Sequence, residues 1–323
     1  MERTLPLGVD IGATRLRIVC TKRLQAVRRV VSVATRDLEP GSSTSGIIPD
    51  IDGLGAMIND AWRELATRER RCVLAVGLPD AQLHGVELPS VRAHGRNRIA
   101  LLEARRYLRD YPYKDALVRL HPLKERESQF ALGIVRGETL RSRLDALKSS
   151  SLRVVAVDHE SLALQRSLPD YDAILDIGFE RSSLHAFGRA LPVTLPIPYG
   201  GERISYAIER ELAIDAPCAE KRKRVHGTSG AGETARDALI ADVVALMRTI
   251  DPRGKHLDRI ALVGNGARLK NLAPDLERAC RRRVEVAASA ILSGDAYPRD
   301  VFLGAAPDWN LAAGLSLWTT GAA

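Results

Sequence analysis

Aromatic side chains are scarce in this 323-residue chain, at 4% for Phe, Trp and Tyr together. So few rings form no visible stacking platform for unpaired bases. Nucleic acid is therefore not expected as a partner, despite a formal charge of +8. Cysteine is sparse as well. Cys20, Cys72, Cys218 and Cys280 stand far apart. No paired spacing suggests a zinc site or a redox dithiol, and buried free thiols are the expectation. Long apolar runs are missing too. None matches the length of a bilayer span, and the first residues carry no apolar signal core. The location expected from these absences is the cytoplasm.

What is present is ordinary soluble composition, 45% hydrophobic and 27% charged, in a chain long enough for two domains or one bilobed unit. Basic residues are spread widely. The local run "KRKR" at 221–224 reads first as a solvated face.

The informative feature is a repeat. "VDIGATRLRIV" at 9–19 breaks an apolar run on Asp10 and Gly12 and resumes at once. "AILDIGFERSSLHAF" at 173–187 does the same, aligning Asp10 with Asp176, Gly12 with Gly178 and Arg15 with Arg181. The turn after the first repeat is expected at Lys22–Arg23, opposite Gly188–Arg189 in the second. A strand–turn–strand unit of this kind can approach a phosphate closely. Glycine removes the colliding side chain and leaves backbone N–H groups to bind phosphate oxygens. Asp10 and Asp176, facing each other across a cleft, could hold Mg²⁺ directly or through water. One such tripeptide is ordinarily just the end of a strand; two of them suggest halves that clasp one nucleotide. A third glycine turn, "LVGNGARL" at 262–269, places Gly264 and Gly266 between a strand and a helix, where backbone can pack on an adenine or ribose. It lacks the third glycine and early position of a dinucleotide turn.

Between these turns, Leu54, Met57, Ile58, Ala61 and Leu65 recur at helical spacing, and "RCVLAVGLP" reads as a buried strand. Residues 76–152 read as an inserted α+β module, with helical faces marked by Leu101, Ala104, Leu108 and Tyr111 and by Leu140, Leu144 and Leu147. "LRVVAVD" and "HESLALQRSL" read as strand then helix, and "WNLAAGLSLW" suits a small-residue helix.

The succession "DIGATRLRIV", "VDHESLAL", "DIGFERSSLHAF", "YGGERI", "AEKRKR", "VGNGARL", "AAGL" resembles the actin-like ATPase superfamily and, within it, the PilM-like proteins of type IV pilus assembly. The resemblance covers almost the whole chain. It implies an α/β, actin-like (ribonuclease H-like repeated) two-lobed fold with a small inserted α+β subdomain. Residues 1–75 begin the first lobe, 76–152 are the insertion and 153–172 cross between lobes. Residues 173–323 form the second lobe, with an insertion at about 205–258 and a C-terminal helix returning to the first.

The resemblance also implies ATP or ADP with Mg²⁺ in the cleft. Asp10, Gly12, Ala13 and Thr14 fall in the first phosphate turn, and Asp176, Gly178, Ser182 and Ser183 in the second. Gly200 and Gly201 precede the next helix. Glu220 and Lys223 lie near ribose and base, and Gly264, Asn265, Gly266 and Arg268 in the adenosine turn. Glu160 would help order the hydrolytic water, and read alone it is a solvated helix-start residue. Arg17 stands where lysine is usual and reads as a strand-edge or salt-bridge residue. Ala13 stands where serine is common, and Phe179 where the turn is usually small, so hydrolysis is expected to be slow or absent. The implied partners are the cytoplasmic tail of a PilN-like inner-membrane protein and other pilus platform proteins, with peripheral association at the inner membrane. The alternatives are a small-molecule kinase of the same superfold, for which no acceptor base is visible, and a nucleotide-free scaffold like the cytoplasmic part of a type II secretion L-type protein.

Overall fold

The two Asp-Ile-Gly stretches end equivalent strands of two sheets built to one plan. The computed structural model describes residues 2–39, 41–43, 46–88, 95–108, 115–123, 128–292 and 307–319. In the first sheet, β2 (Leu7–Ile11) pairs antiparallel with β3 (Arg15–Leu24) and parallel with β5 (Arg71–Val76). Outside these lie β4 (Val27–Asp37) on β3 and β9 (Arg153–His159) on β5, and β1 (Glu2–Thr4) lengthens the sheet beside the far end of β3. The second sheet repeats this. β10 (Ala173–Ile177) pairs antiparallel with β11 (Ser182–Ala186) and parallel with β13 (Arg259–Val263). Outside them lie β12 (Val193–Ile197) and β14 (Arg283–Val286). Central strands are apolar on both faces because both faces are covered, which is why β5 reads as a continuous apolar run.

Helix α1 (Ile51–Glu64) starts where Asp50 accepts a hydrogen bond from the Gly53 N–H at 2.9 Å, and it buries Leu54, Ile58 and Ala61 on the first sheet. Helix α3 (Gly137–Ser149) joins the same core through Leu140, Ala146 and Leu147. The last part of the 76–152 segment, helix α3, therefore packs with the first sheet. A separate three-stranded sheet, β6 (Ala81–Glu87), β8 (Gln129–Val135) and β7 (Leu117–Pro122), has its own small core around Phe130, Leu132 and Ile134. Helix α2 (Arg96–Ala104) covers it with Ala100 and Ala104, whereas Leu101 faces solvent; Tyr111 lies outside the described residues.

Helix α4 (Glu160–Ser167) follows β9, and β12 and β13 are joined through α5 (Gly201–Leu212), α6 (Ala216–His226) and α7 (Glu233–Ile250). Helix α8 (Leu272–Cys280) precedes β14, and α9 (Asn310–Ser316) closes the described chain. Helices α4 and α9 connect the sheets. Leu164 and Leu168 pack on Ile174 and Ala261 of the second sheet, and Ala163 and Leu315 on Val73 and Ala75 of the first.

The turn expected at Lys22–Arg23 lies elsewhere. Pairing with Arg3 and Thr4 keeps both residues extended, and the chain reverses at Gln25–Ala26, where Gln25 takes φ 54°.

Candidate functional site

The strand ends bring Asp10 and Asp176 to one cleft between the sheets. Asp10 is paired with Arg17 in register and Asp176 with Ser183. Each turn closes in the same way. The Gly12 N–H donates to the Arg15 carbonyl at 2.9 Å, and the Gly178 N–H to the Arg181 carbonyl at 3.0 Å. A narrow cavity of about 150 Å³ is lined by Asp10, Gly12, Ala13, Thr14, Glu160, Asp176, Gly178, Ser182, Ser183 and Gly264. It adjoins a larger one of about 1070 Å³, whose walls include Gly201, Glu220, Lys223, Gly266 and Arg268; Gly178, Asn265, Arg17 and Asp308 line both. Gly200 lines neither. It lies behind the second turn, against the Gly178 and Phe179 carbonyls, and these accept hydrogen bonds from the Gly201 and Glu202 N–H groups at 2.9 Å. Helix α5 is thereby fixed to the turn.

Gly264 takes φ +78°, and a Cβ there would meet the Asp176 carboxylate and lie 2.6 Å from the Ile177 carbonyl oxygen. The third glycine turn thus packs directly against the second aspartate. On the opposite wall Lys223 Nζ donates to the Gly201 carbonyl at 2.9 Å and to Ser205 Oγ at 2.7 Å, and it pairs with Glu220 at 2.6 Å. These contacts tie α6 to α5. Burial lowers the Lys223 pKa. For Glu220 burial acts upward, but bonds from Lys223 and Ser205 outweigh it and hold the carboxyl below the usual range.

The narrow cavity is crowded with charge. Burial raises the pKa of Asp10, Glu160 and Asp176, and Asp176 is pushed up to about 7 by burial and then by the neighbouring Glu160 and Asp10 carboxylates. Cations stand among these acids. Arg17 Nη1 lies 3.5 Å from Asp10, and its Nη2 donates to Asp308 at 3.0 Å. Arg268 donates to the same Asp308 at 2.8 Å. Arg143 donates to the Ile11 carbonyl at 3.0 Å, and burial pushes its pKa down. Arg17 is buried, so it is a salt-bridge residue of the cleft wall and not of a strand edge. Glu160, expected at a solvated helix start if read alone, stands half-buried among Arg181, Asp10 and Arg143.

Sequence reasoning missed Asp308 and Arg143. Asp308 sits in "PDWN" with no repeat or motif around it, and Arg143 lies inside a helix recognised only by its leucines. No spacing signal distinguishes either. The site does offer polar groups to a ligand: Ser182 Oγ, Arg17 Nε and Arg143 Nε are buried without a hydrogen-bond partner among the described residues. No group of three or more His, Cys, Asp or Glu among the described residues is arranged to hold a metal ion. Asp10 and Asp176 are two carboxylates facing one cavity, the number that magnesium commonly takes alongside substrate phosphates.

No protein-family model matches the sequence. Among solved structures, a chain of the PilM–PilN type IV pilus biogenesis complex superposes with a TM-score of 0.81 at 23% identity, covering 97% of each chain. The ethanolamine utilization protein EutJ from Carboxydothermus hydrogenoformans superposes with a TM-score of 0.62 at 14% identity, over 98% of this chain and 90% of that one. The fold is actin-like. Within this actin-like frame the two aspartates end the matching central strands of the two sheets, and the cleft between them holds all the residues expected at a nucleotide site except Gly200.

Proposed function

We propose that the chain is a PilM-like component of a type IV pilus platform at the cytoplasmic face of the inner membrane, binding ATP or ADP with Mg²⁺ and the tail of a PilN-like membrane protein. The observation that carries the nucleotide reading is the duplicated turn, with Asp10 and Asp176 at one narrow cavity opening into a chamber of about 1070 Å³. Its residue types suit a nucleotide. The Gly12–Thr14 and Gly178–Ser183 turns would take phosphates, with Ser182 Oγ as a buried hydroxyl in need of a partner. Gly264 to Gly266 and Arg268 would take the adenosine, with Glu220 and Lys223 beside it. Bound Mg²⁺ would neutralise phosphate charge near Asp10 and Asp176. In this reading residues 1–75 and 153–172 form one lobe and 173–323 the other. Hydrolysis is expected to be slow, because Ala13, Arg17 and Phe179 stand where the phosphate turns usually carry serine, lysine and a small residue.

The test is calorimetry on nucleotide-stripped protein. ADP or ATP is expected to bind with Mg²⁺, and Asp10→Ala and Asp176→Ala each to weaken binding at least about tenfold, as expected when a charged ligand loses a buried partner. An absence of heat and of thermal stabilisation at millimolar nucleotide would overturn the reading.

The partner reading rests on the similarity to a chain of the PilM–PilN complex over 97% of both chains. The tail would lie where the three-stranded unit meets the first sheet. An extended peptide can use an open strand and a few apolar contacts there. Val155 and Val157 on β9 and Leu101 and Leu102 on α2 are exposed. A synthetic tail from a neighbouring single-span protein is expected to be captured by the parent. Val155→Asp/Val157→Asp or Leu101→Asp/Leu102→Asp should reduce capture severalfold. Equal capture by all three proteins would place the tail elsewhere.

A further inference from the structure

With β1 beside it, the end of the β3–β4 ribbon gathers five basic residues and one acid, Glu2, around an apolar tip. Three ranks of residues cross β1, β3 and β4 there. Arg3 faces Arg23, which faces Arg28. Thr4 faces Lys22, which faces Arg29. Glu2 faces Leu24, which faces Val27. Residues in one rank point to the same face of a sheet with Cα atoms about 5 Å apart, and successive ranks alternate faces. Three guanidinium groups from three strands therefore share one face, and Arg29 stands on the other beside Lys22, which has a partner of its own. Like charges directly opposite destabilise a sheet. Among the described residues Arg3, Arg28 and Arg29 have no ion-pair partner, and Arg23 Nε donates to the Gln25 carbonyl at 2.7 Å. Beyond these ranks Leu24 is 55% and Val27 65% exposed, and they sit on either side of the Gln25–Ala26 reversal.

A folded hairpin needs neither feature, since a polar tip with mixed charge would serve it better. The combination matches one class of surface. Cations on both faces of a ribbon can reach anionic groups all around it, whereas a protein groove or a nucleic-acid duplex would meet mainly one face. An aliphatic tip projecting past the cations has no use on a phosphate backbone. It gains where phosphate gives way to hydrocarbon within a few ångströms, the layering of a phospholipid leaflet. We propose that the β3–β4 hairpin is a membrane-docking tip for an anionic phospholipid surface, Leu24 and Val27 entering the headgroup–acyl boundary while Arg3, Arg23, Arg28 and Arg29 engage lipid phosphates. The proposal needs neither the nucleotide nor the tail.

The test is flotation of the full chain with vesicles of mixed phosphatidylglycerol and phosphatidylcholine, against phosphatidylcholine alone. Because no partner protein is present, the result is separate from that of the tail experiment. Binding is expected to the anionic vesicles only, and to fall with salt. Leu24→Ser/Val27→Ser should weaken it about fivefold to tenfold. Arg23→Glu/Arg28→Glu should weaken it at least about tenfold. Arg253→Glu/Lys255→Glu, an exposed pair on the second half of the chain, should change it less than about threefold. A tryptophan placed at Val27 should blue-shift on anionic vesicles beyond the parent's own change. No binding by the parent at low salt overturns the proposal. So does equal loss in both charge variants with none in the Leu24/Val27 variant, because that pattern is diffuse adsorption of a basic protein.

Discussion

Acidification is expected to destabilise the protein through two buried histidines, and His185→Leu should remove the larger part of that effect. Burial lowers the His185 pKa to about 3, helped by His159 nearby. Burial also lowers His159 to about 4, against a pull upward from Asp158. Nδ1 of His185 is 3.1 Å from Thr194 Oγ1 and Nδ1 of His159 is 2.7 Å from Ser161 Oγ, while the Nε2 atoms have no hydrogen-bond partner among the described residues. The sign follows from linkage. Above the unfolded value near 6.5 both states hold neutral imidazoles and neither group contributes. As pH falls below about 6.5 the unfolded chain takes up protons that the folded chain refuses, so stability drops until the folded values are reached. At about 1.4 kcal/mol per unit, the full loss is on the order of 5 kcal/mol for His185 and 3 kcal/mol for His159. The cleft acids act in the opposite direction. Asp10, Glu160 and Asp176 have folded values above their unfolded ones, so they cost stability at neutral pH and recover it as they protonate. The readout is therefore the difference between parent and His185→Leu in urea midpoint, measured from pH 7.5 down to 4.5. The difference should move in favour of the variant by roughly 2 kcal/mol or more across that span. A constant difference, or an NMR titration of His185 near 6.5, would show that the imidazole is not held neutral.

The duplicated sheet was legible in the sequence because it is written locally, as strand period, glycine at a tight turn and a repeated aspartate. Gly12 and Gly178 close the same hydrogen bond, as their alignment implied. Local signals failed where a distant partner decides the structure. Lys22 and Arg23 look like a turn until β1, almost twenty residues earlier, pairs with them. Leu101 fits a helical period with Ala104, but the small sheet beneath takes the Ala100 side of α2. The cleft shows the same limit. Asp10 and Asp176 stand in motifs, whereas Asp308 reaches Arg17 across 291 residues and Arg143 reaches the Ile11 carbonyl across 132. A single sequence carries no trace of such pairings, because each partner is an ordinary residue in its own neighbourhood.

Gly8→Ala and Gly314→Ala are each expected to cost about 3 kcal/mol or more, far beyond an ordinary glycine replacement, because α9 is clamped between two backbones. A Cβ on Gly8 would collide with the Ala312 carbonyl oxygen and lie 2.6 Å from the Ser316 nitrogen. One on Gly314, on the other side of the helix, would collide with the Ala163 carbonyl oxygen of α4 and lie 2.6 Å from its carbonyl carbon. These obstacles are main-chain atoms of packed elements, so no rotamer change relieves them, and the helix itself must move. Overpacking of this kind costs about 1–3 kcal/mol where side chains can yield, and more where they cannot. Gly188→Ala is the control. Its φ of +94° strains any side chain, but nothing lies within 4 Å of the added methyl, so the cost should be near 1 kcal/mol. The consequence reaches the cleft. Helix α9 seats β2, which carries Asp10 next to its last residue, and α4, whose Leu164 and Leu168 seat the second sheet near Asp176. A shift in α9 changes how the two aspartates face each other, so nucleotide affinity should fall in the clamped-glycine variants even at temperatures where they remain folded, and should be unchanged in Gly188→Ala. Chemical denaturation and calorimetry on the same three proteins check both parts. Equal urea midpoints for Gly8→Ala and the parent would mean that α9 is not clamped, and loss of stability without loss of affinity would mean that the clamp does not set the cleft.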